Sequence, residues 1–164
     1  MDHQKIRLLV TGGTIDKQYN ELNGELVFVE TQLADMLAQG RCKADISIET
    51  IMLKDSLEME AKDRELVLQA CKSCDESLLI ITHGTDTMTL TAKHLATQIK
   101  NKTVILLGAM IPYAFKNSDA LFNLGTAVAA VQCLPAGIYI TMNGQVFKWD
   151  QVIKNKQEGL FESS

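Results

Sequence analysis

Proline is nearly absent from this chain, with two residues in 164, and glycine is limited to ten. That scarcity excludes collagen-like and low-complexity disordered chains, while 46% hydrophobic and 22% charged residues match the balance of a folded domain. Long apolar runs are missing as well. None approaches the ~18 residues of a membrane span, and Met1 to Arg7 mix charges with one strong apolar residue, so neither a membrane segment nor a secretory leader is expected. Basic residues are not in excess: the net charge is −4 and the pI is near 5.4. No electrostatic footprint for nucleic acid or for an anionic membrane results. These absences leave small-molecule chemistry in the cytoplasm.

A disulfide framework is not needed either, because a chain of this length buries roughly 68–70% of its unfolded surface. Cys42, Cys71, Cys74 and Cys133 therefore read as reduced thiols, mostly small buried hydrophobes. Cys71 and Cys74 form one C-x-x-C, but the second ligand pair of a zinc site is lacking, and no metal is expected.

What is present is alternation. Ile6 to Val10, Ile46 to Leu53, Leu78 to Thr82, Thr103 to Leu107 and Ile138 to Met142 read as buried strands. Between them Thr31 to Gln39, Ala61 to Cys74, Thr89 to Lys100 and a segment from Ser118 through Leu134 carry helical periodicity, with Ser118 as a cap. Asn143-Gly144 marks a hairpin turn into Val146 to Trp149. Residues 1–164 are thus expected to form one α/β domain: a doubly wound, mostly parallel sheet with helices on both faces, in three Rossmann- or flavodoxin-like layers.

In such a sheet a ligand sits at the carboxyl ends of the strands, near a topological switch point. Four loops fall there: Thr11-Gly12-Gly13-Thr14, Lys54-Asp55-Ser56, His83-Gly84-Thr85-Asp86 and Gly108-Ala109-Met110. The first lacks both the dinucleotide fingerprint and the Gly-Lys-Thr of a phosphate loop. Its glycines allow close backbone approach to a ligand, leaving the Thr14 hydroxyl as a nucleophile or as a turn residue satisfied locally. Thr85 and Asp86 precede a helix whose free N–H groups suit an oxyanion or a carboxylate, although Asp86 or Thr87 could simply cap that helix. His83 reads as a packed residue more readily than as a triad base, since no G-x-S-x-G elbow is present.

Together, Leu9-Val10-Thr11-Gly12-Gly13-Thr14-Ile15 and Ile80-Ile81-Thr82-His83-Gly84-Thr85-Asp86-Thr87-Met88 resemble the paired signatures of the bacterial-type L-asparaginase family. The resemblance continues through Lys54 to Met59, Leu107 to Met110, Ser118 to Leu124, Met142-Asn143 and Val152 to Lys154. It covers almost the whole chain and corresponds to the family's amino-terminal domain. The resemblance implies an amidohydrolase that splits a small carboxamide, L-asparagine or a related amide, into carboxylate and ammonia through an acyl-enzyme. Thr14 matches the nucleophile, and Thr85, Asp86 and Lys154 match the second threonine with its aspartate–lysine relay. Ser56 matches a residue holding the substrate α-carboxylate, although it could equally cap a helix. Gly13, Gly84 and the backbone at Ala109 line the substrate, and Tyr19 is the one tyrosine in a segment, residues 15 to 30, that matches a mobile lid. No cofactor is implied, because threonine, lysine and backbone donors suffice for acyl transfer to water.

Two departures stand out. Leu57 occupies a position where the family commonly places a glutamine against the substrate α-amino group, and the chain stops at Ser164, about where the smaller carboxy-terminal domain is expected. In the family that the chain resembles, that domain of a neighbouring subunit supplies an acidic residue to the α-amino site. Of three groups that the resemblance places around the substrate ammonium only Asp86 remains, and each lost charge-assisted hydrogen bond is worth about 1.5–3 kcal/mol, so weak affinity for asparagine is expected, along with pairing into a homodimer or higher homo-oligomer. Two other readings are a non-catalytic domain that binds an amino acid or dicarboxylate, and a component of an amidotransferase.

Overall fold

The computed structural model describes residues 4–164; residues 1–3 of the amino-terminal stretch lie outside it. In chain order the elements begin with β1 (Ile6–Gly12), β2 (Gln18–Asn20), β3 (Glu25–Val27), α1 (Leu33–Gln39), β4 (Ile46–Lys54) and α2 (Ala61–Ser73). There follow β5 (Leu78–Thr82), α3 (Met88–Gln98), β6 (Thr103–Leu107), α4 (Ala120–Val131), β7 (Gly137–Met142), β8 (Gln145–Lys148), β9 (Ile153–Asn155) and β10 (Leu160–Glu162). Single turns of 3-10 helix, Thr14–Asp16 and Ser56–Glu58, follow β1 and β4.

Six strands form one sheet in the order β4-β1-β5-β6-β7-β8, all parallel except the edge pair β7 and β8. Side chains alternate between its two faces. Leu9, Leu79, Ile81, Val104, Leu106, Ile138 and Ile140 pack with Val67, Leu68 and Cys71 of α2 and Met88, Ala92 and Leu95 of α3. Leu8, Val10, Ile80, Ile105 and Leu107 pack on the other face with Leu33 and Met36 of α1 and Leu124, Ala127 and Val131 of α4. Burying one Leu or Ile stabilises by about 1.5–3 kcal/mol relative to exposure, so a one-residue slip of any central strand costs more than a loop contact can offset. The three-layer α/β domain therefore follows from the alternation of strand and helix along the chain.

The expectation of a fully buried strand at Ile46 to Leu53 is corrected. β4 is an edge strand, and Ser47, Glu49 and Thr50 are exposed along it. The fourth helix also ends at Val131, three residues before the expected Leu134. Two short hairpins lie outside the main sheet: β2 with β3, inside the segment matched to a lid, and β9 with β10, which carries Lys154.

Candidate active site

Among the five parallel strands β1 lies between β4 and β5, so the crossover from β1 to β4 runs one way along the sheet and the crossover from β4 back past β1 to β5 runs the other. The switch point is the β1/β5 boundary, where such sheets open a crevice at their carboxyl ends. Thr14 follows β1 and Thr85 follows β5, one on each side of that boundary.

Backbone contacts lace the loops together. Gly13 N–H donates to Lys54 O at 3.0 Å, His83 N–H to Leu107 O at 2.8 Å and Tyr113 N–H to Ile15 O at 3.2 Å. Gly13 has φ +81 and so close an approach to the next loop that a Cβ there would stand 2.5 Å from Gly84 N. At Gly84 a Cβ would stand 2.5 Å from Ser56 Oγ, and at Gly108 it would come within 3.1 Å of Thr85 Cγ2. The glycines therefore let four loops interlock, and Thr14, Thr85 and Ser56 flank or form these crossings.

The centre of the arrangement is a lysine from a distant hairpin. Lys154 Nζ donates to Thr85 Oγ1 at 2.7 Å and to Asp86 Oδ1 at 2.8 Å. Thr85 is 7% exposed, and its own hydroxyl faces Met110 Sδ at 3.7 Å. Thr14 is half-buried, and among the described residues no side chain hydrogen-bonds its hydroxyl. Ser56 is buried and does not cap a helix, because Asp55 takes that role by accepting from Leu57 N–H at 3.0 Å. Ser56 instead accepts from Thr87 N–H at 3.3 Å, while Thr87 Oγ1 donates to Ser56 O at 2.8 Å. Thr87 and Asp86 make no capping bond to α3.

Ala109 is buried against the α4 face, beside Gly108. Leu57 is 69% exposed. Tyr19 stands on β2 opposite Leu26, more than half exposed, and its hydroxyl lies 3.9 Å from where a Cβ on Gly24 would stand. It hydrogen-bonds neither threonine among the described residues. Sequence reasoning missed Lys17, whose Nζ lies 2.6 Å from Asp55 Oδ2 and holds that carboxyl below its usual range. It also missed Asp16, fully buried at the base of the β2–β3 hairpin, where it accepts from Thr31 Oγ1 and from Gln32 N–H at 2.8 Å. Neither contact has a sequence signal, because each depends on how the intervening loop folds back.

His83 is wholly buried. Its Nδ1–H donates to Gly84 O at 2.8 Å, which leaves Nε2 to accept from Thr91 Oγ1 at 2.7 Å. Burial lowers its pKa to about 4 from an ordinary 6.5, so it supports the Gly84 turn as a neutral ring. Above pH 6.5 the folded and unfolded chains both hold it neutral. Between 6.5 and 4 only the unfolded chain takes up the proton, so stability falls with acidification by as much as about 3 kcal/mol. Asp16 acts in the opposite sense, since burial raises its carboxyl and the folded state then holds that proton more readily than the unfolded one. Urea midpoints between pH 7 and 4.5, with His83→Gln for comparison, check this; an equal acid loss in that variant would refute the assignment to His83.

The expectation that the cysteines are mostly buried is corrected: only Cys71 is buried, Cys42 and Cys74 are half-buried and Cys133 is exposed. All four are free, Cys71 is buried with its thiol pushed up to about 12, and Cys74 donates to Cys71 O at 3.5 Å. Among the described residues no group of three His, Cys, Asp or Glu side chains is placed to hold a metal, and no helix is long and apolar enough to cross a membrane.

A family model described as the N-terminal domain of asparaginase matches residues 5–162. The L-asparaginase of Thermococcus kodakarensis is 32% identical over 162 residues, 95% of this chain and 49% of that protein. A solved structure of the thermostable L-asparaginase from Thermococcus kodakarensis superposes with a TM-score of 0.85 at 32% identity, over 98% of this chain and 51% of that one. A component of the glutamyl-tRNA(Gln) amidotransferase of Methanococcus vannielii is 28% identical over 168 residues, 96% of this chain and 38% of that protein. The chain thus spans about half the length of the L-asparaginases it matches.

Proposed function

The chain belongs to the asparaginase family, matching its amino-terminal domain, and from that premise we propose that it hydrolyses a small carboxamide to carboxylate and ammonia. The observation that carries this reading is Lys154 Nζ bridging Thr85 Oγ1 and Asp86 Oδ1 at the switch point of the sheet. A threonine hydroxyl is a weak nucleophile at neutral pH and needs a neighbouring group to take its proton. Thr14 attacks the amide carbonyl, and the Thr85–Lys154–Asp86 relay passes the hydroxyl proton to the departing nitrogen. The carbon–nitrogen bond breaks, ammonia leaves, and an ester on Thr14 remains. Water then cleaves that ester and returns a proton to Thr14.

The substrate is proposed to lack a conventional α-amino acid head, or to have its ammonium held by another chain. Two carboxylates beside the site are engaged by lysines, Asp86 with Lys154 and Asp55 with Lys17, and exposed Leu57 offers no hydrogen bond. Ammonia release from L- and D-asparagine, glutamine, isoasparagine and succinamate tests this, with threonine variants as controls. Release from a member of this panel supports the proposal, and its absence from all five, with binding still seen by calorimetry, favours a sensor. Saturation with L-asparagine at micromolar concentration by the protein alone would refute the weak-affinity part. Cytoplasmic location and a homo-oligomeric state belong to the same reading. The likeness to an amidotransferase component favours a second one, in which the released ammonia is used by a partner that co-purifies with this chain.

A further inference from the structure

Lys154 lies on β9, in a two-stranded hairpin that pairs with no strand of the main sheet. The hairpin's turn is closed by local bonds, with Asn155 Oδ1 accepting from the N–H groups of Gln157 and Glu158, but these say nothing of where it sits. Two core residues anchor it: Val152, just before β9 and 6% exposed, and Phe161, the residue directly opposite Lys154 in the hairpin register. Phe161 is 1% exposed, buried in the core cluster on the α2/α3 face of the sheet, and its N–H donates to Asn143 Oδ1 at 2.8 Å. Asn143 sits in the β7–β8 turn at φ +56.

The same asparagine is tied to the opposite side of the site. Asn143 N–H donates to Oδ1 of Asn123, a residue of α4 that is 1% exposed. Asn123 Nδ2 donates to Gly108 O and to Asp119 Oδ2, both at 3.0 Å. Asp119 in turn accepts from Met110 N–H at 2.9 Å and Ile111 N–H at 3.0 Å. Gly108 and Met110 are the residues packed on Thr85. One short network therefore grips Lys154 through its cross-strand neighbour and Thr85 through the loop against it.

We propose that Asn143 and Asn123 are positioning residues that hold Lys154 in register with Thr85. The proposal rests on the preceding reading only in calling that register catalytic. Asn143 can be dissected cleanly: Asn143→Gly keeps the left-handed backbone and deletes the acceptor, whereas Asn143→Asp keeps an acceptor for Phe161 N–H. Acylation of Lys154, whose side chain is 11% exposed, is followed by peptide mass spectrometry against Lys62 at 72%, beside hydrogen exchange of the Phe161 amide.

In Asn143→Gly both rates are expected to rise roughly two- to tenfold, the equilibrium worth of one net hydrogen bond, and kcat to fall at least as far with KM unchanged. Asn143→Asp should stay within about twofold of the parent protein on each measure. Lys154 acylation unchanged in Asn143→Gly, or an aspartate variant as impaired as the glycine variant, would overturn the proposal. If no variant releases ammonia, a faster Lys154 acylation in Asn143→Gly still supports the positioning role and counts only against the amidohydrolase reading.

Discussion

Thr14→Ala and Thr85→Val are each expected to lower ammonia release by about a thousandfold or more, within the range seen when a nucleophile or its proton-transfer partner is removed. The two substitutions fail for different reasons. Thr14→Ala deletes the oxygen that forms the acyl bond, and because that hydroxyl holds no neighbouring side chain, the fold should be unaffected. Thr85→Val keeps the methyl group packed beside Gly108 but deletes the acceptor of Lys154 Nζ. The amine then retains only Asp86, and the proton path ends there.

The serine replacements sharpen the test. Thr14→Ser and Thr85→Ser retain hydroxyls and should keep most activity if oxygen chemistry is what matters. Combining Thr14→Ala with Thr85→Val should cost little more than either alone, since residues acting as one unit are not additive. Ammonia release measured at saturating amide, with thermal melts of each variant, checks both points. A Thr14→Ala protein that still releases ammonia within tenfold of the parent would exclude Thr14 as nucleophile.

Much of this architecture was legible in the residue pattern. Leu78 to Thr82 and Thr103 to Leu107 are apolar on both faces, as a strand covered by helices must be, and their bounds coincide with the observed strands. Ile46, Ile48 and Ile51 suggested the same of β4, but the polar residues between them, Ser47 and Glu49, belong to an edge. The glycine-bearing loops were also readable, because a parallel sheet sends its strand ends to one side. What composition and spacing could not supply was the link between loops far apart in the chain. Lys154 reaches Thr85 across 69 positions, and nothing local distinguishes it from a surface lysine; it was the likeness to a family that singled it out. Asn143 was visible as a turn residue, yet its side chain's bond to Phe161 depends on the later hairpin folding back.

A methyl group at the loop crossings should be as damaging as the loss of a catalytic group, by a different route. In Gly13→Ala the new Cβ meets only backbone, Gly84 N at 2.5 Å, Gly84 Cα at 2.7 Å and His83 C at 2.8 Å, and φ +81 is itself unfavourable for alanine. At φ +81 and ψ 176 the backbone lies in a region nearly exclusive to glycine, which costs about 1–3 kcal/mol, and overpacking typically costs about 1–3 kcal/mol, so a loss of roughly 2–6 kcal/mol follows, or about 6–18 °C in Tm for a domain of this size. The strain is relieved by parting the loops after β1 and β5, which separates Thr14 from Thr85, so activity should fall even where the protein remains folded. Gly84 is needed for space alone. In Gly84→Ala the collision is chiefly with the Ser56 side chain, Oγ at 2.5 Å and Cβ at 2.6 Å, so Ser56→Gly should restore much of the stability, although Ser56 N at 2.9 Å stays close. That rescue should not restore substrate affinity, because the hydroxyl proposed to hold the carboxylate is gone. At Gly13 no side chain can be trimmed, and Ser56→Gly should leave the Gly13→Ala defect in place. Urea unfolding of the two double-mutant cycles reads this directly: strong coupling between positions 84 and 56, with none between 13 and 56, is the outcome that the interlocked loops require.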